Sequence, residues 1–233
     1  MFDQYIILDL EMNPVEKRNW EARALLQREV IEIGAVRLDA SYKVVDRFSL
    51  FVKPAYSRNV AAFITELTGI KTFDLARAVD FKTALEALSA WIGEIPACIY
   101  SWSDNDLVQL RRECAYKNIE MPSNMEAWVD AQPLYPALLG IEKAKQMSLQ
   151  EATEWYGFSF DRKRAHRALY DAEITAKLVR AILTGEYKEV ASRIRKYCEL
   201  EQKESVTDCG GFGVSFGELL RKSLKTTGEL ELA

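Results

Sequence analysis

The chain has 233 residues, 48% of them hydrophobic and 28% charged, a composition that excludes a largely disordered protein and fits one domain with an extension. Its 31 Lys and Arg against 35 Asp and Glu leave a net charge of -4. That balance excludes a globally basic nucleic-acid coat, so any nucleic acid would have to be held by a local basic patch or by bound metal. Cys98, Cys114, Cys198 and Cys209 form no C-x-x-C pair, which argues against a zinc knuckle and a disulfide framework and for reduced thiols in a cytoplasmic protein. The first residues, MFDQYIILDLEMN, carry acids where a secretory signal needs a basic region, and no apolar run approaches the roughly 18 residues of a membrane helix.

In chain order, QYIILDL reads as a short buried strand, followed by a polar stretch from Glu11 to Glu29 that reads as a loop with a partial helix. VIEIGAVRLDASYKVVDRFSLFVKP gives two strands with a turn near Asp39 to Tyr42. AAFITELTGI is a short helix stopped by Gly69, and DFKTALEALSAWIGE an amphipathic one with Leu85, Leu88 and Trp91 at helical spacing. ACIYSW is a third strand, SDNDLVQLRRECAYKN a helix, and EAWVDA a short strand. Helices follow near Pro133 to Leu139, over SLQEATEWYG, and over HRALYDAEITAKLVRAILTGE. A meander followed by alternating strands and helices is an α/β pattern with a mixed, helix-flanked sheet. A boundary near Gly185 divides a domain of residues 1–185 from an extension of residues 186–233, made of a charged helix, a CGGFG turn and a polar tail.

Three acidic features stand where apolar residues would be expected. On the first strand, alternation puts Ile6, Leu8 and Leu10 on one face and Ile7, Asp9 and Glu11 on the other. Two carboxylates at the end of a central strand repel each other and resist desolvation; a hard divalent cation such as magnesium or manganese would offset both effects. Read alone, the pair also fits two solvated acids where strand meets loop. Asp106 opens the helix after ACIYSW and lies four residues before Leu110, on the inward face, although Asp104 is an equally good helix cap. Asp171 shares a helical stripe with Ile174 and Leu178, so it should face the sheet and need a partner. Five residues before it stands His166, the only histidine in the chain, which by itself fits a packed or solvated side chain as well as a catalytic one.

The order of these residues strongly resembles the DEDDh family of 3'–5' exonucleases, through Asp9, Glu11, Asp106, His166 and Asp171. REVIEIGAVRLD resembles that family's second strand and ITELTGI its terminal-nucleotide helix and turn, so the resemblance spans about residues 3–183. It implies a ribonuclease H-like fold, a five-stranded mixed sheet flanked by helices, here with a helical C-terminal extension. It implies two divalent cations, Mg2+ or Mn2+, held by Asp9, Glu11, Asp106 and Asp171, with His166 as general base. The implied reaction releases nucleoside 5'-monophosphates from the 3' end of single-stranded RNA or DNA. Substrate contacts implied are Phe63, Leu67 and Thr68 on the short helix and its turn, and Arg164 in the run RKRAHR. Core packing is the other reading of Phe63 and Leu67, and a solvated loop that of the basic run. Met12 stands where many members carry Thr, a departure that removes a hydroxyl beside the substrate terminus. The competing reading is a catalytically weak nucleic-acid-binding or regulatory protein that keeps the fold; intact Asp9, Glu11, Asp106, His166 and Asp171 argue against it.

Overall fold

The structure is a computed structural model that describes residues 2–140, 147–193 and Lys196. Five strands form one sheet: β1 (Gln4–Pro14), β2 (Arg28–Asp39), β3 (Val44–Phe51), β4 (Ala97–Ser101) and β5 (Trp128–Asp130). Their order is β3-β2-β1-β4-β5, with β1–β2 and β2–β3 antiparallel and β1–β4 and β4–β5 parallel. The helices are α1 (Trp20–Leu25), α2 (Ala62–Thr68), α3 (Phe81–Ile92), α4 (Asn105–Lys117), α5 (Leu134–Leu138), α6 (Leu149–Tyr156) and α7 (Ala168–Thr184).

Strand alternation explains the layers. Ile6, Leu8 and Leu10 pack with Ile33 and Ala35 against Phe81, Leu85 and Leu88 of α3 and Leu110 of α4. On the opposite face Tyr5, Ile7, Val36 and Leu38 pack under Ala172, Ala176 and Val179 of α7. Val190 and Ala191, in the helical stretch 187–193, are buried in this second cluster, so the start of the segment beyond Gly185 helps to close the core. Helix starts follow local chemistry: Asp80 accepts the Thr83 N–H at 2.8 Å before α3, and Ser148 accepts the Glu151 N–H at 3.1 Å before α6.

Two boundaries differ from the sequence reading. β1 does not stop near Leu10 but runs on to Pro14, because after a bulge between Glu11 and Met12 it pairs with the start of β2, Met12 opposite Val30 and Asn13 opposite Glu29. The late helix begins at Ala168, so His166 lies before it: Arg167 is extended (φ -120°, ψ 120°) and His166 is left-handed (φ 60°). No helix among the described residues is long and apolar enough to cross a membrane. The CGGFG turn, the polar tail, Cys198 and Cys209 lie outside the described residues.

The sheet leaves one feature open at its centre. β4 pairs with β1 only as far as Ile7 opposite Tyr100, so from Leu8 onward β1 has no β-partner on that side. Asp9 and Glu11 fall in this unpaired stretch.

Candidate active site

The free edge of β1 is taken up by a side chain. Asp106, in the first turn of α4, accepts the Leu10 N–H through Oδ1 at 3.1 Å and is only 6% exposed. Asp104, one residue before that helix, is exposed and makes no side-chain cap. The inward position thus belongs to Asp106, and its carboxylate is carried to the face of Asp9 and Glu11.

α7 brings the remaining groups. Asp171 is 8% exposed, and its Oδ2 accepts the His166 N–H at 3.0 Å. This bond holds the left-handed turn that places His166 beside the helix start. Ligand atoms of Glu11, His166 and Asp171 all lie within 4.8 Å of one another. Oδ1 of Asp171 is buried and has no hydrogen-bond partner, an arrangement that disfavours an isolated fold and favours an added cation.

Burial is the first cause of the raised carboxyls in this cluster, and mutual charge adds to it. Burial pushes the Glu11 carboxyl up to about 8, and Asp171, Glu32 and Asp106 add repulsion that Arg167 partly opposes. Asp9 is raised well above its ordinary range by burial first and then by Asp106, Asp171, Glu11 and Glu32. Asp106 rises to about 7 by burial, against the stabilising Leu10 hydrogen bond. Asp171 rises to about 6 by burial, against the His166 hydrogen bond. The exposed His166 shifts the other way: partial desolvation of its ring lowers its pKa and favours the neutral imidazole.

The residues that support this cluster include one the sequence reading passed over. Glu32 lies opposite Glu11 across the β1–β2 ladder and is 1% exposed. It receives Arg167 Nη2 at 2.7 Å, Arg167 Nε at 3.2 Å and the Ala168 N–H at 3.0 Å, tying β2 to the first residue of α7. Arg167 is thereby paired with Glu32 while its side chain stays 44% exposed. The available signal was an acid inside the apolar run VIEIGAV, the same kind of signal that marked Asp9; its meaning needed the strand register. Gly34, opposite Asp9, completes the seat. A Cβ there would lie 2.1 Å from the Ala168 carbonyl carbon and the Leu169 nitrogen, so only glycine lets α7 rest this close to β2.

The expected substrate contacts are dispersed. Phe63 and Leu67 on α2 are 61% and 49% exposed, so they are not core residues. Their helix is tied to the site by Asn13, whose Oδ1 accepts the Ala61 N–H at 2.8 Å, two residues beyond Glu11 on β1. Thr68 is buried, and its hydroxyl is engaged locally, donating to the Ile64 carbonyl at 2.8 Å and accepting the Ile70 N–H at 3.0 Å. Met12 is partly buried against the α3–α4 side of the sheet. Arg164 stacks 4.6 Å from the Tyr170 ring and lies 3.5 Å from Glu173, on the outer side of α7.

Comparisons with known proteins bear on the family and the fold. The exonuclease (RNase_T) family model matches residues 6–179. Human ERI1 exoribonuclease 2 is 28% identical over 202 residues, which cover 76% of this chain and 28% of that protein. The 3'-5' exonuclease Snipper of Drosophila melanogaster is 24% identical over 208 residues, 79% of this chain and 73% of that protein. The chain spans about a third or less of the length of the ERI1 exoribonuclease 2 relatives of human, zebrafish and Xenopus laevis, 28%, 35% and 31%. Among solved structures, the nuclease domain of 3'hExo, a DEDDh family member bound to rAMP, superposes with a TM-score of 0.68 at 21% identity, over 79% of this chain and 93% of that one.

Proposed function

This chain belongs to the exonuclease (RNase_T) family, and from that premise we propose that it is a DEDDh exonuclease that hydrolyses single-stranded RNA or DNA from the 3' end, releasing nucleoside 5'-monophosphates. The observation that carries the reading is the convergence of Asp9, Glu11, Asp106, Asp171 and His166 from the unpaired edge of β1 and two helix starts. The cluster contains one buried carboxylate oxygen with no partner.

The donor set suits hard divalent cations. Asp9, Glu11, Asp106 and Asp171 offer only carboxylate oxygens, and all four are raised first by burial of their charge, a cost that a bound cation offsets. These four residues would hold magnesium or manganese, which supply Lewis-acid stabilisation of charge at the phosphoryl group. The protein's own groups do the rest. His166, exposed beside the carboxylates and biased toward neutral imidazole, accepts a proton from the attacking water. The water oxygen bonds to phosphorus as the bond to the penultimate nucleotide's 3' oxygen breaks, and that oxygen leaves in line. Phe63 and Leu67 present apolar surface to the terminal base.

End-labelled single-stranded RNA and DNA, incubated with and without manganese, test the reading. Stepwise shortening from the 3' end with release of 5'-monophosphates is the expected result. Absence of metal-dependent shortening on both polymers would overturn it.

A further inference from the structure

On the outer side of α7 lies a groove of about 440 Å³ that the catalytic cluster does not use. It lies over a buried apolar seam, Val36 and Leu38 of β2 against Ile174 and Ala176 of α7, and its apolar rim is the half-buried Tyr42 and the exposed Val44. Its walls carry five cations, Lys43, Arg47, Arg164, Lys177 and Arg180, against one carboxylate in the lining, Glu173, and a second, Glu186, that reaches Arg180 at 3.2 Å. Arg47 and Arg164 share Glu173 at 2.7 Å and 3.5 Å, so the two carboxylates leave a net positive wall. Lys43 and Lys177 make none of the ion pairs found among the described residues. In a chain of net charge -4, such a concentration is a local feature and not the general state of the surface.

The groove is continuous with the site along the chain. Arg164 stands two residues before His166, and Glu173, Lys177 and Arg180 follow along α7 away from Asp171. From Ala168 to Arg180 the helix advances about 18 Å at 1.5 Å per residue, a length that matches about five phosphates at the stacked strand spacing of 3.4 Å. We propose that this groove, walled by Lys43, Arg47, Arg164, Lys177 and Arg180, binds the 5'-ward stretch of a single-stranded nucleic acid whose 3' end is in the active site. A single strand is the occupant that fits both the cationic walls and the apolar rim. Its phosphates meet the cations, and its bases meet the exposed Val44 and the half-buried Tyr42. This placement rests on the exonuclease reading, and it separates cleavage of the end from retention of the strand.

The test compares wild type with Lys43→Gln/Lys177→Gln, in which two exposed lysines outside the catalytic cluster lose their charge. Substrates are a dinucleotide, too short to enter the groove, and a dodecanucleotide, each assayed with manganese across a salt series. For the variant the groove predicts unchanged turnover of the dinucleotide and a KM for the dodecanucleotide raised about tenfold at low salt, with kcat retained. The slope of log affinity for the dodecanucleotide against log salt should shrink by about 1.4, two phosphate contacts at about 0.7 each. An unchanged KM and salt slope in a variant that still cleaves the dinucleotide would overturn the groove and leave the nuclease standing. A wild type that cleaves neither substrate would overturn the exonuclease reading itself. If the variant lost dinucleotide cleavage as well, the lysines would belong to the site and the proposed separation would be wrong.

Discussion

His166 can be tested as a base separately from its neighbours, because it is the chain's only histidine and its backbone, not its ring, holds Asp171. His166→Ala should lower turnover by about 10²–10⁴-fold while leaving stabilisation by manganese largely intact, read as the metal-induced rise in melting temperature. Loss of the thermal shift together with activity would make it a ligand. A folded variant with wild-type turnover would remove the general-base role. The wild-type rate should climb as pH rises through the imidazole pKa, which desolvation places below its ordinary value, since only the neutral ring accepts a proton. Asp104 and Asp106 give a second comparison: Asp106→Ala should abolish turnover and Asp104→Ala should spare it, because only Asp106 is buried and bonded to Leu10. The reverse outcome would move the site to the exposed acid. At this scale the sequence was informative where an acid interrupted an apolar pattern. It was silent about Glu32, although Glu32 interrupts one too, because its function depends on which residue lies across the ladder.

Among the elements, the seating of α7 on β2 decides whether the acids converge. Glu32 and Arg167 differ in burial, 1% and 44% at the side chain, so the two ends of their pair are not equivalent. Arg167→Met strands a buried anion beside Glu11 and should destabilise the fold by roughly 3 kcal/mol, measured by urea denaturation. Glu32→Met leaves a partly exposed guanidinium and should cost less. The double variant should be more stable than the sum of the singles implies. Equal and additive effects would show that the pair does not anchor the helix. Gly34→Ala should weaken turnover along with stability, since the new methyl displaces the start of α7 that carries Asp171. The helix boundary was misread from sequence for a related reason. His166 and Arg167 have ordinary helix propensities, and only the pull of Glu32 and Asp171 holds them out of the helix.

For the whole molecule, the carboxylate cluster makes stability depend on pH and metal together. Glu11, Asp106 and Asp171 have folded pKa values of about 8, 7 and 6, all above their unfolded values. Between the unfolded and folded values the native state binds more protons, so the metal-free protein should lose stability as pH rises from about 4.5 to 8. Manganese at about a hundred times its dissociation constant should add roughly 2.7 kcal/mol and offset part of that loss at neutral pH. Melting curves in chelator and in manganese across this range check both signs. A metal-free protein that is most stable near pH 8, or one whose melting is unmoved by manganese, would be incompatible with four converging acids. What the sequence by itself determined was local: strand alternation placed Asp9 and Glu11 on one face, and turn and helix punctuation set out an α/β pattern with a mixed, helix-flanked sheet, whose five strands were what the family resemblance implied. Tertiary structure decided everything that joins distant segments. It ended β4 at Ile7 of β1, so that Asp106 takes the free edge, paired Glu11 with Glu32, and bound Arg167 to Glu32. It also drew residues 190 and 191 into the core. Periodicity is a property of neighbours along the chain, whereas register and burial come from which surfaces meet, and the chemistry of this cluster lies in those meetings.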